Sequence, residues 1–389
     1  MKVKEETRTG YKKTKLGWIP DEWKLLSIDE LTDRVTNRVE VESDNEYQEI
    51  GIRSHGKGLF HKDITKGKSL GNKRVFWIQS DCFIVNIVFA WEQAVAKTTE
   101  KEVGMIASHR FPMYKPKEGI LDLDYLLFFF ETPLGKHLLG LASPGGAGRN
   151  KTLGQKEFGK LKIPVPPIRH QISISKIIST WDNGIECLKD LIQEKGVFKS
   201  EILKSLLSKR KLSAESWEEK SFKEVFRIYS SKKFQIPKTS YSLEGEIPIV
   251  DQGKKIIVAY TDTDNFIKDI PVIIFGDHTK IIKWIDFPFV PGADGTQVLK
   301  THENCSPLFG KYLLEALELP NLGYSRHFKW VKEKSFFIPP METQHLITKS
   351  LFSLETEILL LKNKLEMLTK QKKGLRQRLF NGLNIIKDN

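Results

Sequence analysis

Two stretches of the chain carry mostly apolar residues, with a few lysines, at steps that alternate between three and four. The first runs Ile178, Trp181, Ile185, Leu188, Ile192, Lys195, Lys199, Ile202 and Leu206; the second runs Leu351, Leu354, Ile358, Leu361, Leu365, Leu368, Lys372, Leu375 and Leu379. Such a stripe is the seam of a coiled coil, where each helix buries one narrow face against a partner. Both stripes follow a Pro-Pro pair, in LKIPVPPIRHQ (161–171) and in FFIPPMETQ (336–344). With Pro166 laid on Pro339 the copies align without a gap: Gln171 falls on Gln344, Ile174 on Ile347, Lys176 on Lys349 and Leu206 on Leu379. Proline suits the first turn of a helix and holds the residue before it extended. Each pair therefore predicts a switch from a strand into a helix of about 40 residues, roughly 60 Å long. Gly184, Gly196 and Gly374 lie inside these helices, each at a cost of up to ~1 kcal/mol. The helices are expected to depend on pairing with each other. Lys199 and Lys372 occupy the same seam position. Such lysines either fix register at some cost in stability or snorkel out of a loosening seam end, and the pattern leaves both readings open.

A weaker repeat stands upstream of each globular stretch, WKLLSIDEL (23–31) against WEEKSFKEV (217–225). Between each tryptophan and its Pro-Pro pair the two segments are unlike, and both read as mixed helix and strand. CFIVNIVFA (82–90), IIVAY (256–260) and PVIIF (271–275) have the β-branched, aromatic character of buried strands. DLDYLLFFFETPLGKHLLGL (122–141) and SPLFGKYLLEALEL (306–319) read as helices opened by Asp or Ser caps. The expected fold is α/β (α+β): two globular domains separated by two long antiparallel coiled-coil helices, a tandem repeat with pseudo-twofold character. The expected boundaries are an arm at 1–20, a globule at 21–165, a helix at 166–212, a second globule at 213–338 and a second helix at 339–389.

The 389 residues carry 62 Lys and Arg against 49 Asp and Glu, a net charge of +13. An excess of cations favours a polyanionic partner, because each phosphate contact releases condensed counterions. Cys82, Cys187 and Cys305 are scattered and odd in number, so neither a disulfide framework nor a zinc knuckle is suggested. No apolar run reaches the ~18–20 residues of a membrane span, and the first twenty residues lack the apolar centre of a signal peptide. The expected compartment is the cytoplasm, with no membrane partner.

Catalytic patterns are missing from the sequence. Both Pro-Pro pairs follow Val or Ile rather than the Asn or Asp of amino-methylating enzymes. Gly67-Lys68-Ser69 lacks the first glycine of a phosphate loop. His302-Glu303 lacks a second zinc histidine, and Asp262-Thr263-Asp264 lacks the glycine of a calcium loop. The carboxylates of Pro20-Asp21-Glu22-Trp23-Lys24 are too close in sequence for a nuclease metal site. No catalytic residue and no metal ligand is expected.

Candidate DNA contacts cluster in glycine-rich and basic loops, which approach a duplex closely and present donors to base edges or phosphates. In the first globule these are Arg53, His55, Lys57, His61 and Lys62 in GIRSHGKGLFHK (51–62), and Arg149, Asn150 and Lys151 in SPGGAGRNKT (143–152). In the second they are Lys254, Lys255, His278 and Lys280, with Arg326, His327 and Lys329 in NLGYSRHFK (321–329).

Together these features resemble the specificity subunit of type I restriction-modification enzymes along the whole chain. The resemblance rests on GWIPDEW (17–23), GIRSHGKGLFHK, GAGRNKTLGQKEFGKLKIPVPP (146–167) and the repeated Pro-Pro helices ending on a shared register. It implies that 21–165 and 213–338 are target-recognition domains, each reading half of a split, asymmetric double-stranded DNA sequence, with 166–212 and 339–389 as spacer helices. It implies no catalysis and no cofactor on this chain. Two modification (methyltransferase) subunits would dock on it and methylate adenine with S-adenosylmethionine. Restriction (motor-nuclease) subunits would add cleavage dependent on ATP and Mg. SFFIPP is a shorter entry than IPVPP, and the second recognition loop is poorer in glycine. Two other readings compete: a self-contained methyltransferase-nuclease, and a coiled-coil adaptor whose globules bind protein.

Overall fold

In the computed structural model, which describes residues 8–145, 151–206, 217–292, 295–320 and 325–382, both proline pairs sit where a strand hands over to a helix. Strand Lys162–Val165 leads into a helix Ile168–Leu206 of 39 residues, and strand Ser335–Ile338 into a helix Met341–Phe380 of 40. Each switch strand pairs antiparallel with one of the two tryptophan repeats, Lys162–Val165 with Lys24–Ser27 and Ser335–Ile338 with Glu218–Ser221. Both repeats then close on the same device. Ser27 with Glu30, and Ser221 with Glu224, form capping boxes that start one-turn helices, satisfying backbone donors that the first turn leaves unpaired. Hydrogen bonds from the two serines hold both glutamates below the ordinary carboxylate range.

The glutamine shared by the two copies is a clasp. Gln171 Oε1 accepts from Asp122 N at 2.9 Å, while its Nε2 donates to Ile120 O and Pro166 O, each at 2.9 Å. Gln344 repeats this with Ser306 N (2.8 Å), Asn304 O and Pro339 O (both 2.9 Å). Asp122 and Ser306 are the N-caps of helices Leu123–Phe130 and Pro307–Ala316. The clasp therefore fixes a proline switch to the principal helix of its own globule, and a buried amide must find such partners.

The chain divides into two units, 1–186 with 366–389, and 187–365. Unit 1 holds two four-stranded sheets. One has the strand order Leu59–Lys66, Glu46–Ile52, Ile106–Ser108, Val75–Trp77; the other has Thr32–Val35, Met113–Pro116, Phe83–Val85, Val95–Lys97. Its core gathers Trp23, Phe83, Tyr125, Phe129, Phe130 and Phe158, and the end of the second long helix delivers Leu379 and Phe380 into it. Unit 2 has a four-stranded sheet ordered Phe226–Ile228, Thr296–Thr301, Val272–Gly276, Ile282–Ile285 and a three-stranded sheet around Ile247–Val250. There the end of the first long helix supplies Leu203 and Leu206 to a core with Phe309, Tyr312 and Phe336. Each core thus takes in the end of one long helix together with the start of the other, Ile174 and Ile178 in unit 1 and Leu351 in unit 2.

All nine predicted seam positions of each long helix are buried or half-buried. Within unit 2 the helices run antiparallel, for Lys195 pairs with Glu357 and Lys199 with Glu355. The lysine question is decided in favour of pairing. Lys199 also meets Glu315 at 3.0 Å, and Lys311 meets Glu315 at 2.9 Å and Glu355 at 2.7 Å. In unit 1 the equivalent Lys372 pairs with Asp182, and Arg376 meets Glu131 at 3.1 Å. Asp182 stands at the position of Glu355 in the other copy, so the repeat extends to a charge pair.

Several expectations change, and of 82–90 only Phe83–Val85 is a strand. Of the expected arm at 1–20, the described residues from 8 onward belong to the first globule: Tyr11–Thr14 and Gly17–Pro20 form a hairpin, Ile19 is buried, and the Tyr11 hydroxyl donates to Gly382 O. The segment 122–141 is two helices, because Thr132 caps a new one with Pro133 at its first position. Within 256–260 the strand begins only at Ala259, and Ile256 is exposed.

Candidate nucleic-acid interface

Strands Glu46–Ile52 and Leu59–Lys66 form the hairpin that carries the first basic loop. His55, Gly56 and Gly58 have positive φ, a conformation that glycine adopts freely. The His55 and Gly56 amides donate to Glu92 O and Gln93 O, pinning the loop to the adjacent turn. Arg53 spends its guanidinium on Leu59 O at 3.0 Å and lies 4.8 Å from the Phe60 ring centre. His61 pairs with Glu102 at 2.9 Å. His55 and Lys57 are exposed. The groove beside this loop is lined by Gly56, Gly58, Glu100, Lys101, Glu102 and Glu131. Burial pushes the Glu131 carboxyl up to about 7 in spite of Arg376. This face carries more carboxylate than the sequence suggested.

Lys62 points elsewhere. It meets Glu49 at 3.3 Å in a cavity of about 370 Å³ that is also lined by Lys73, Asn86, His109 and Arg110. Four of the residues lining that cavity, Lys73, Asn86, His109 and Arg110, were missed by sequence reasoning. Asn86 lies in an apolar run, while Lys73 and the adjacent His109 and Arg110 stand in separate segments that only the folding of the sheet brings together. Arg149 and Asn150 lie outside the described residues. Lys151 places its ammonium 5.4 Å from the Trp91 ring centre.

In unit 2, Lys283 organises two candidate loops. Its buried ammonium donates to Asp251 O at 2.6 Å and Lys255 O at 2.5 Å, and burial draws its pKa down. Gln252 Oε1 accepts from His278 N, and Gln252 O from the Thr279 hydroxyl. Lys254, Lys255, His278 and Lys280 are thus brought to one surface, with Lys280 also donating to Pro320 O at 3.4 Å. Arg326 and Lys329 are exposed, the latter over Trp330. His327 is a correction. It is fully buried, and both its backbone N and Nδ1 bond to Asp277 O, so its role is to hold the loop against the sheet. The segment 321–324 lies outside the described residues. Among the described residues no group of three or more His, Cys, Asp or Glu is placed to hold a metal. No helix among them is long and apolar enough to cross a membrane.

Unlike globules, each tied by the same strand, capping box and glutamine clasp to a long helix, define a two-module protein built on an internal repeat. The chain belongs to the type I restriction modification DNA specificity domain family, whose model matches it twice, over 20–194 and 214–370. It is 24% identical over 423 residues to the putative type I restriction enzyme MjaX specificity subunit of Methanocaldococcus jannaschii, covering 96% of each. A second relative from that organism, the type I restriction enzyme MjaVIII specificity subunit, is 24% identical over 234 residues, 56% of this chain and 52% of the relative. The fold is shared with the HsdS subunit from Thermoanaerobacter tengcongensis (TM-score 0.50, 15% identity, 94% of this chain and 98% of that one). It is also shared with the type I restriction-modification S subunit from M. genitalium (TM-score 0.58, 16% identity, 92% and 96%).

Proposed function

We propose that the chain is the sequence-reading subunit of a type I restriction-modification complex, each globule binding one half of a bipartite double-stranded DNA target. The observation that carries this reading is the repeated family match falling on two globules whose sheets differ while their helical attachments coincide. A repeated attachment with unlike readers suits an asymmetric target, since two identical readers would favour a palindrome. The chemistry belongs, on this reading, to partners: methyl transfer from S-adenosylmethionine to two modification subunits, and ATP- and Mg-dependent cleavage to restriction subunits. Leu191, Val197, Phe198, Leu359 and Leu360 are exposed on the long helices outside the seam and offer apolar anchors for such subunits. The candidate base and phosphate contacts are Arg53, His55, Lys57, Lys62, Lys151, Lys254, Lys255, His278, Lys280, Arg326 and Lys329. The test is to express the chain with its modification subunits in a host and sequence the methylated genome. A split adenine-methylated motif that disappears with this chain supports the reading; methylation unchanged by its removal sinks it.

A further inference from the structure

We propose that the cavity of unit 1 beneath Lys62 and Arg110 reads the major-groove edge of an adenine in the half-site bound by this globule; the proposal rests on the DNA-reading function above. Its floor carries two buried polar side chains of opposite hydrogen-bonding character. Asn86 is 9% exposed, and its Oδ1 accepts from Val88 N at 3.1 Å. Its Nδ2 donor has no partner among the described residues. Glu49 is 8% exposed and, among the described residues, is met by Lys62 at 3.3 Å and Lys73 at 3.5 Å, both reaching in from half-exposed positions. An amide has two donor hydrogens, and one left free on the wall of a cavity is available to a ligand that accepts from it.

The ligand follows from the chemistry of the floor. An amide donor beside a carboxylate acceptor requires an edge with one acceptor and one donor. In the major groove adenine offers both, N7 and the N6 amino group, whereas guanine shows two acceptors, cytosine one donor, and thymine an acceptor and a methyl group. A phosphate does not suit the floor, because it would face the Glu49 carboxylate. Phosphate suits the rim, where Arg110 and His109 are exposed and their side chains have no partner among the described residues. At about 370 Å³ the space falls within the ~300–1,000 Å³ of ordinary ligand sites.

The experiment uses the complex assembled with its modification subunits and reads methylation over a library of targets. Asn86→Asp keeps the acceptor that Val88 N needs and removes the donor. It should lower discrimination for adenine at one position of one half-site by about tenfold or more, move preference toward cytosine, and leave the other half-site unchanged. Glu49→Gln should relax the same position. Arg110→Ala should weaken binding evenly across sequences and reduce the salt slope by about 1. An unchanged motif in both floor variants overturns the proposal. So does a half-site without adenine, or a uniform loss in a variant complex that assembles and melts normally. Replacing 21–165 by the same segment of a relative separates the two levels. If that swap leaves the motif intact the DNA-reading function itself fails; if it changes one half-site while the floor variants do not, only the cavity assignment fails.

Discussion

Lys199 and Lys372 show how one side chain acquires a structural role that its neighbours in sequence do not reveal. Each sits on an apolar seam and faces an acid contributed by the other long helix, Glu355 or Asp182. Burial disfavours the Glu355 carboxylate, yet hydrogen bonds from Lys199 and Lys311 hold its pKa below the ordinary value, and the Glu315 and Glu355 carboxylates raise that of Lys199. Lys199→Met would leave two carboxylates to share Lys311. Unit 2 should lose about 1–3 kcal/mol, read as a lower denaturant midpoint, and an unchanged midpoint would return the lysine to the snorkelling role. Glu131 makes the opposite case. Its pKa is raised to about 7 by burial, so the folded state binds more protons than the unfolded one between the usual carboxylate pKa and 7, and stability falls as pH rises through that window. Glu131→Gln should flatten that fall in unit 1, by up to about 3 kcal/mol between pH 5 and 8. Thermal melts across that range check it, and an equal slope in both proteins contradicts it. Lys199 and Lys372 were legible as repeated; the acids that the globules add, Glu315 to Lys199 and Glu131 to Arg376, were not, because the two globules share no sequence pattern.

At the scale of elements, the starts of the long helices were legible, at Ile168 and Met341 just after the proline pairs, whereas the second helix stops at Phe380, short of the expected 389. Their three-four spacing, the proline start and the aligned glutamine are all local in sequence. The price of local rules is that they say nothing about what fills the glycine positions. A Cβ at Gly184, Gly196 or Gly374 meets open space, so these glycines serve no close approach. Gly184→Ala should therefore stabilise unit 1 by about 0.5–1 kcal/mol through helix propensity and a restricted unfolded chain. A lower melting temperature would show that the glycine has a role the packing does not reveal. The globular segments were less legible. Capping boxes at Ser27 and Ser221 and the break at Thr132 follow local rules that alternative patterns masked, whereas the short strands are defined by partners distant in sequence, as Ile106 is by Glu49 and Trp77.

At the scale of the whole molecule, division of labour is the testable property. Replacing 217–338 by the matching part of a relative should alter one half of the methylated sequence and leave the other, because the capping box and clasp that attach each globule are repeated while its sheets are not. Methylome sequencing decides it; a target changed in both halves, or in neither, contradicts modular reading.

The sequence by itself determined the repeat, the helix seams, the strand-to-helix switches and the family, since each depends on spacing along the chain. Only the tertiary structure decided which charges meet. It separated Lys62 from the loop with which it was grouped, buried His327, and assembled Glu49, Asn86 and Arg110 from three distant segments. Periodicity is set by the geometry of one backbone, but a binding surface is set by which backbones lie side by side, and in the unlike globules no repeat announces that.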